Sequence, residues 1–175
     1  MTRVLVAYAT KHNSTGEIAL AITEELKKSP QLSVDLERVE NVKDISPYEV
    51  VVLGSAVYMG QWRDEAVEFL KRHTQELAQR SVWLFSSGPI GQGDPKTLMK
   101  GWVFPEALQS FADQIKPRDI ALFHGKLERD WLNIFEKAAV KFVKSPTGDS
   151  RDWDMIRHWA TEIAQTVLRH EVVPE

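Results

Sequence analysis

The chain has 175 residues, of which 43% are hydrophobic and 27% charged, and its formal net charge is −3. This size and composition predict one globular domain over residues 1–175, and the weak charge gives no electrostatic reason to bind nucleic acid. The chain has no cysteine, which excludes disulfides, thiolate nucleophiles and cysteine-ligated iron–sulfur clusters. No apolar run approaches the ~20 residues of a membrane span, and no signal peptide precedes the first apolar strand, so we expect a cytoplasmic protein.

Strands and helices alternate along the chain. Apolar runs at 3–9 and 49–55 predict strands that are buried on both faces, whereas strict alternation over 32–37 predicts an edge strand. Two further strands are predicted at 81–86 and 119–124, and helices at 18–29, 63–79, 104–115, 131–144 and 153–169. Short connections between alternating elements predict a doubly wound α/β fold, with a parallel five-stranded sheet in the order 2-1-3-4-5 and helices on both faces.

The first strand runs directly into a hydroxyl-rich turn and a helix start over residues 10–17. The N–H groups of a first helical turn are unpaired and lie at the positive end of the helix dipole. Together with the hydroxyls of Thr10, Ser14 and Thr15, they would hold a phosphate monoester, which indicates a nucleotide or a flavin. An alternative needs no ligand, because Ser14 and Glu17 have the spacing of a capping box.

Two more loops leave from the same edge of the predicted sheet, so they can form the walls of a site for a planar ring. The loop over 56–62 carries Tyr58 and Trp62, and at least one of these rings would stack on a flat heterocycle. Alternatively, both rings cover the core or a neighbouring subunit. The loop over 87–94 contains three glycines and a proline, which permit close approach of the backbone. No histidine pair has metal-ligand spacing, so no metal site is predicted.

Three stretches together, residues 8–19, 54–62 and 123–127, resemble the flavodoxin-domain family, and within it the menaquinone-dependent protoporphyrinogen dehydrogenases. The resemblance extends over almost the whole chain, to Trp159-Ala160. Family members often have glycine at the position of Asn13, and asparagine tolerates the same left-handed conformation better than most residues.

The resemblance implies a flavodoxin-like fold and non-covalently bound FMN, with the chemistry on the flavin and no catalytic side chain. By this resemblance the substrate is protoporphyrinogen IX and the acceptor a quinone. The implied phosphate contacts are Thr10, Lys11, His12, Asn13, Ser14 and Thr15. The expected contacts of the ring are Ser55, Ala56, Val57, Tyr58, Met59, Gly60 and Trp62 in the second loop, and Ser87, Gly88, Pro89, Ile90 and Gly91 in the third.

Residues 116–144 carry seven Lys and Arg against four Asp and Glu. This basic face favours contact of 126–144 with a redox partner, with anionic lipid at the inner face of the membrane, or with an anionic substrate such as a porphyrin propionate. Simple packing of a helix on the sheet explains the same pattern. Two other functions stay open: an electron-transfer module without its own substrate, and a flavin-free interaction domain. A homo-oligomer also stays open.

Overall fold

The computed structural model describes residues 1–133, 137–138 and 147–171. In this part of the chain the strands are β1 (Thr2–Ala9), β2 (Leu32–Arg38), β3 (Val50–Tyr58), β4 (Gln61–Trp62), β5 (Ser81–Ser87), β6 (Asp119–Phe123), β7 (Lys126–Leu127) and β8 (Gly148–Asp149). The α-helices are α1 (Ser14–Leu26), α2 (Asp64–Leu77), α3 (Pro95–Leu98), α4 (Gln109–Ile115) and α5 (Trp153–Glu171). Short 3₁₀ turns lie at Val39–Asn41, Glu106–Leu108 and Arg129–Trp131.

The main sheet confirms the predicted topology. Its order is β2-β1-β3-β5-β6, and all four pairings are parallel, so the five predicted strands occur in the predicted order. The chain leaves β1 toward β2 on one side and returns to β3 on the other side. The carboxyl ends of β1 and β3 therefore flank the point where the strand order reverses, which is where ligands bind in open α/β sheets.

Alternating side chains divide the core into two layers. On β1, Val4 and Val6 pack in the cluster that contains α1 and α5, whereas Leu5 and Ala7 pack in the cluster that contains α2 and α4. Helix α1 contributes a fully buried stripe of Ile18, Ile22 and Leu26, whose spacing of four residues places them on one face. Burial of the central strands on both faces explains why they read as continuous apolar runs.

Between β5 and β6 the helices differ from the prediction, whereas α5 confirms the helix predicted over 153–169. The helix predicted over 104–115 is shorter, because Pro105 disfavours helical backbone at the residue before it, and a 3₁₀ turn precedes α4. Helix α3 was not predicted; Asp94 caps it by accepting from the Thr97 N–H at 2.8 Å.

The helix predicted over 131–144 lies mostly outside the described residues. At its start, Trp131 ends a 3₁₀ turn and Leu132 has an extended backbone, so the first two predicted positions are not α-helical. Residues 137 and 138, which are described, are helical as predicted. None of the helices in the described ranges is long and apolar enough to cross a membrane.

Candidate functional site

The loop between β1 and α1 has the geometry of an open helix N-terminus. Asn13 is the N-cap, with φ 65° and ψ 3°, so it adopts the left-handed conformation that the sequence predicted, and its side chain makes no cap hydrogen bond. Ser14 is already inside the helix, because the Glu17 N–H donates to the Asn13 carbonyl oxygen at 3.0 Å. The capping-box interpretation is therefore wrong, since it requires Ser14 itself to be the cap.

The hydroxyl of Thr15 is buried without a partner. The residue is 1% exposed, and among the described residues nothing hydrogen-bonds its Oγ1. A buried hydroxyl that lacks a partner costs about 1–3 kcal/mol, so native structures rarely leave one unexplained. An anion with acceptor oxygens at the start of α1 would take up this donor. The residues present therefore fit a phosphate group.

The other polar residues of this loop are distributed over its surface and its base. Thr10 is buried, His12 and Ser14 are half-buried, and Lys11 and Asn13 are exposed. The His12 ring stacks on Trp131 with centroids 5.2 Å apart and planes 17° apart. Lys126 Nζ lies 5.1 Å from the centre of the same Trp131 ring. The turn before the predicted basic helix therefore lies against the loop between β1 and α1 and brings a cation with it.

Sequence reasoning missed Arg151, which joins the first turn of α1 to β8. Its Nη1 donates to the Ser14 carbonyl oxygen at 3.2 Å and to Glu17 Oε2. Its Nε and Nη2 donate to the two carboxylate oxygens of Asp149 at 2.9 and 2.7 Å. These hydrogen bonds from Arg151 hold the pKa of the Asp149 carboxyl below its usual value. No spacing could have indicated the contact, because Glu17 is 134 residues away in the sequence.

The second loop is a β-hairpin, which corrects the irregular loop predicted over 56–62. Strand β3 continues to Tyr58, and β4 pairs with it in antiparallel register, Val57 with Trp62 and Tyr58 with Gln61. Met59 and Gly60 form the tip, with φ of 51° and 72°. Positive φ at both central residues is the requirement of a type I′ turn, which matches the twist of the flanking strands.

The two aromatic residues of this hairpin have different environments. Tyr58 is 41% exposed at the end of β3, at the carboxyl edge of the sheet. Trp62 is buried at 3%; its Nε1 donates to Ser86 Oγ at 2.8 Å, and its ring meets Phe104 edge-on at 5.0 Å. The structure therefore removes Trp62 from the stacking candidates and places it in the core, which was the stated alternative.

Ser55 also has an internal role. It is fully buried; its Oγ accepts from the Arg63 N–H at 3.0 Å and donates to the Ala56 carbonyl oxygen at 2.8 Å. These bonds close the base of the hairpin and orient the start of α2. The hydroxyl is therefore already committed, and Ser55 is a weaker candidate than its position suggested.

Hydrogen bonds with His124, Gly125 and Ser150 hold the third loop, over 87–93, in place. The two ring nitrogens of His124 contact the carbonyl oxygens of Pro89 and Gly93 at 3.0 and 2.7 Å. The Gly125 N–H donates to the Pro89 carbonyl oxygen at 3.0 Å, and the Gly91 N–H donates to Ser150 Oγ at 3.0 Å. His124 is itself buried, so its ring is part of the support beneath this loop.

The sheet register brings the three loops together. Ala9 pairs with Ser55, and Ala56 pairs with Ser87, so the three strand ends lie side by side. A Cβ on Gly88 would lie 3.0 Å from Val57 Cβ, which shows how closely the second and third loops approach. The predicted residues therefore share one edge, with polar donors at β1 and an exposed ring at β3. That they contact a cofactor stays a prediction.

Comparison with known proteins agrees with this architecture. A family model described as flavodoxin domain matches residues 5–154. Over 182 residues the chain is 23% identical to a protein named protoporphyrinogen IX dehydrogenase [quinone] from Leishmania major, with 95% of this chain and 76% of that protein covered.

Two solved structures illustrate the shared fold. A flavodoxin from the domain Archaea superposes with a TM-score of 0.62 at 12% identity, covering 95% of this chain and 99% of that one. The rubredoxin oxygen:oxidoreductase of Desulfovibrio gigas gives 0.64 at 12% identity, covering 98% of this chain and 37% of that one. At these identities the structural likeness shows the fold alone.

Proposed function

The chain belongs to the flavodoxin domain family, and from that premise we propose that it binds FMN and oxidises protoporphyrinogen IX, with a quinone as the electron acceptor. Bound FMN supplies one- and two-electron redox chemistry. The residues of the chain bind and orient the cofactor, and the proposal needs no catalytic side chain.

The observation that carries the proposal is the unpaired, buried hydroxyl of Thr15 at the start of α1, within the part of the chain that the structure describes. The N–H groups of the first turn and the hydroxyls of Thr10 and Ser14 complete a set of donors for a phosphate dianion. Lys11 and His12 extend from the same loop and add positive or polar character at its rim.

The ring of the flavin lies, in this proposal, against the hairpin tip and the third loop. Tyr58 is the stacking residue because it is the exposed aromatic ring of the hairpin. Backbone groups of Ala56, Val57 and Gly60 meet the polar edge of the ring, together with those groups of residues 87–91 that make no internal hydrogen bond, because the Gly88 and Gly91 N–H groups and the Pro89 carbonyl oxygen are already paired. Met59 is fully exposed at the tip, where it would line one margin of the bound ring.

The substrate assignment is supported by the named relative from Leishmania major and by local charge. Lys126 and Arg129 lie on the segment that packs against the phosphate loop through Trp131. Cations there suit a substrate that carries carboxylates. Lys126 is paired with Glu128 at 2.6 Å, so it would exchange this partner for a substrate carboxylate, whereas Arg129 is exposed.

Binding tests the first half of the proposal. We expect the protein to bind FMN, with visible flavin absorbance, and we expect Ser14→Ala and Thr15→Ala to weaken FMN more than riboflavin, which lacks the phosphate. Fluorescence titration with each flavin measures both affinities. Equal weakening of the two flavins by both variants would contradict the placement of the phosphate.

Turnover tests the second half. FMN-loaded protein is mixed anaerobically with protoporphyrinogen IX and a menaquinone analogue, and protoporphyrin fluorescence is followed against free FMN as the control. Turnover that depends on protein and quinone supports the substrate. Reduction of the protein by a flavodoxin reductase without porphyrinogen turnover would instead indicate an electron-transfer module. A protein that stays colourless in excess FMN would indicate a flavin-free interaction domain.

A further inference from the structure

We propose that Arg151 is a positioning residue that keeps the start of α1 open to a phosphate by holding the Glu17 carboxylate away from it. The inference rests on the proposed function, since it concerns the same phosphate site. It goes further because it assigns a role to a residue outside the donor set, which reaches the start of α1 through the Ser14 carbonyl oxygen and the Glu17 carboxylate.

Glu17 is an acid in the first turn of α1, where the positive end of the helix dipole attracts any negative charge. Without a cationic partner, the Glu17 carboxylate would compete with an incoming phosphate for the positive end of the helix dipole and would repel the dianion. In the structure the carboxylate accepts from Arg151 Nη1, so the arginine holds it in place and balances its negative charge. The same nitrogen bonds the Ser14 carbonyl oxygen and thereby fixes the turn to which the phosphate would bind.

The arginine itself is held rigidly. Its side chain is 4% exposed. It donates two hydrogen bonds to Asp149, and its guanidinium carbon lies 4.6 Å from the centre of the Trp153 ring. A planar fork with five donors can serve Ser14, Glu17 and Asp149 together. A lysine at this position would supply the charge but not the three directed bonds, so partial rescue by lysine is the expected signature.

Loss of Arg151 would leave the Glu17 charge uncompensated beside the phosphate. The penalty falls on FMN and not on riboflavin, because only FMN carries the dianion. The Glu17 carboxylate is half-exposed and its repulsion is screened by water, so we expect Arg151→Gln to raise the Kd for FMN about threefold to tenfold and to change the Kd for riboflavin less than about twofold. Removal of Glu17 in the same protein would abolish the effect.

The experiment is a double-mutant cycle read as the ratio of FMN to riboflavin affinity. The variants are Arg151→Gln, Arg151→Lys, Glu17→Gln and the double variant Glu17→Gln/Arg151→Gln, and Arg157→Gln, an exposed arginine on α5, is the matched control for loss of one positive charge. Thermal unfolding of each flavin-free variant accompanies the titrations. The double variant removes the Glu17 charge together with the arginine but leaves Asp149 without its partner, so the unfolding curves report any folding defect that the unpaired Asp149 introduces.

Recovery of FMN affinity in the double variant to within about twofold of Glu17→Gln, with partial loss in Arg151→Lys, supports the proposal. Equal loss of both flavins in Arg151→Gln, or no recovery in the double variant, overturns this inference while leaving the proposed function intact. If the wild-type protein binds no flavin at all, the proposed function fails and this inference fails with it.

Discussion

Replacing Thr15 with valine should move the stability of the flavin-free protein and its FMN affinity in opposite directions. Thr15 Oγ1 is buried without a partner in the described structure, and an unpaired buried hydroxyl costs about 1–3 kcal/mol. Valine has nearly the same shape and a similar helix propensity, so the variant removes this cost and little else. The free energy of unfolding should rise by about 1–3 kcal/mol, which is about 2–4 °C in Tm per kcal/mol for a chain of this size.

The same change should weaken FMN, because it deletes a donor to a charged phosphate. A hydrogen bond to a charged group contributes about 1.5–3 kcal/mol, which corresponds to roughly a ten- to hundredfold increase in Kd. Thermal unfolding of the flavin-free protein gives the first quantity, and fluorescence titration with FMN gives the second.

Thr23 is the matched control on the same helix. It is buried as deeply, but its Oγ1 donates to the Ala19 carbonyl oxygen at 2.8 Å. Thr23→Val should therefore lower the free energy of unfolding by about 0.5–1.5 kcal/mol and leave FMN affinity unchanged. Two results would contradict an unpaired Thr15 hydroxyl that donates to the phosphate. One is that Thr15→Val destabilises the flavin-free protein as much as Thr23→Val does, and the other is that it leaves the FMN affinity unchanged.

Two further variants test the supports of the site. Gly125→Ala should lower the free energy of unfolding by about 1–3 kcal/mol in thermal denaturation, because its Cβ would lie 3.2 Å from backbone atoms of Gly88, which hydrogen bonds hold in place. Asp149→Asn should flatten the loss of Tm in acid. The Arg151 hydrogen bonds lower the pKa of Asp149, so their stabilisation is complete above the ordinary aspartate value, near pH 4, and is lost as pH falls through the lowered folded-state pKa. A Tm profile from pH 7 to pH 3 identical to that of wild type would contradict this assignment.

The parts of the fold that follow from local pattern were predictable. The continuous apolar runs of β1 and β3 can satisfy two packing faces only in the middle of a sheet, and this fixed their central places in the order. The left-handed turn before α1 was also predictable, because Asn13 is one of the few residues that adopt positive φ at small cost.

The hairpin at the second loop was not predictable from its residues. A two-residue turn with positive φ usually carries Asn-Gly or Asp-Gly, and here the first position is Met59. The pairing of Val57 with Trp62 fixes the strands on either side of the turn and holds methionine in this backbone conformation. Long-range pairing overrides the local preference, and the single sequence carries no sign of that pairing.

The hydroxyls near this edge of the sheet differ more in their hydrogen bonds than in their positions. Ser55 and Thr15 both lie buried at the carboxyl edge of the sheet and look equivalent in the sequence. The Ser55 hydroxyl donates to the Ala56 carbonyl oxygen and accepts from the Arg63 N–H, whereas the Thr15 hydroxyl has no partner among the described residues. The fold alone therefore explains why the Ser55 hydroxyl is buried. The Thr15 hydroxyl needs an acceptor that the described residues do not supply, and an anion at an open helix N-terminus meets that need.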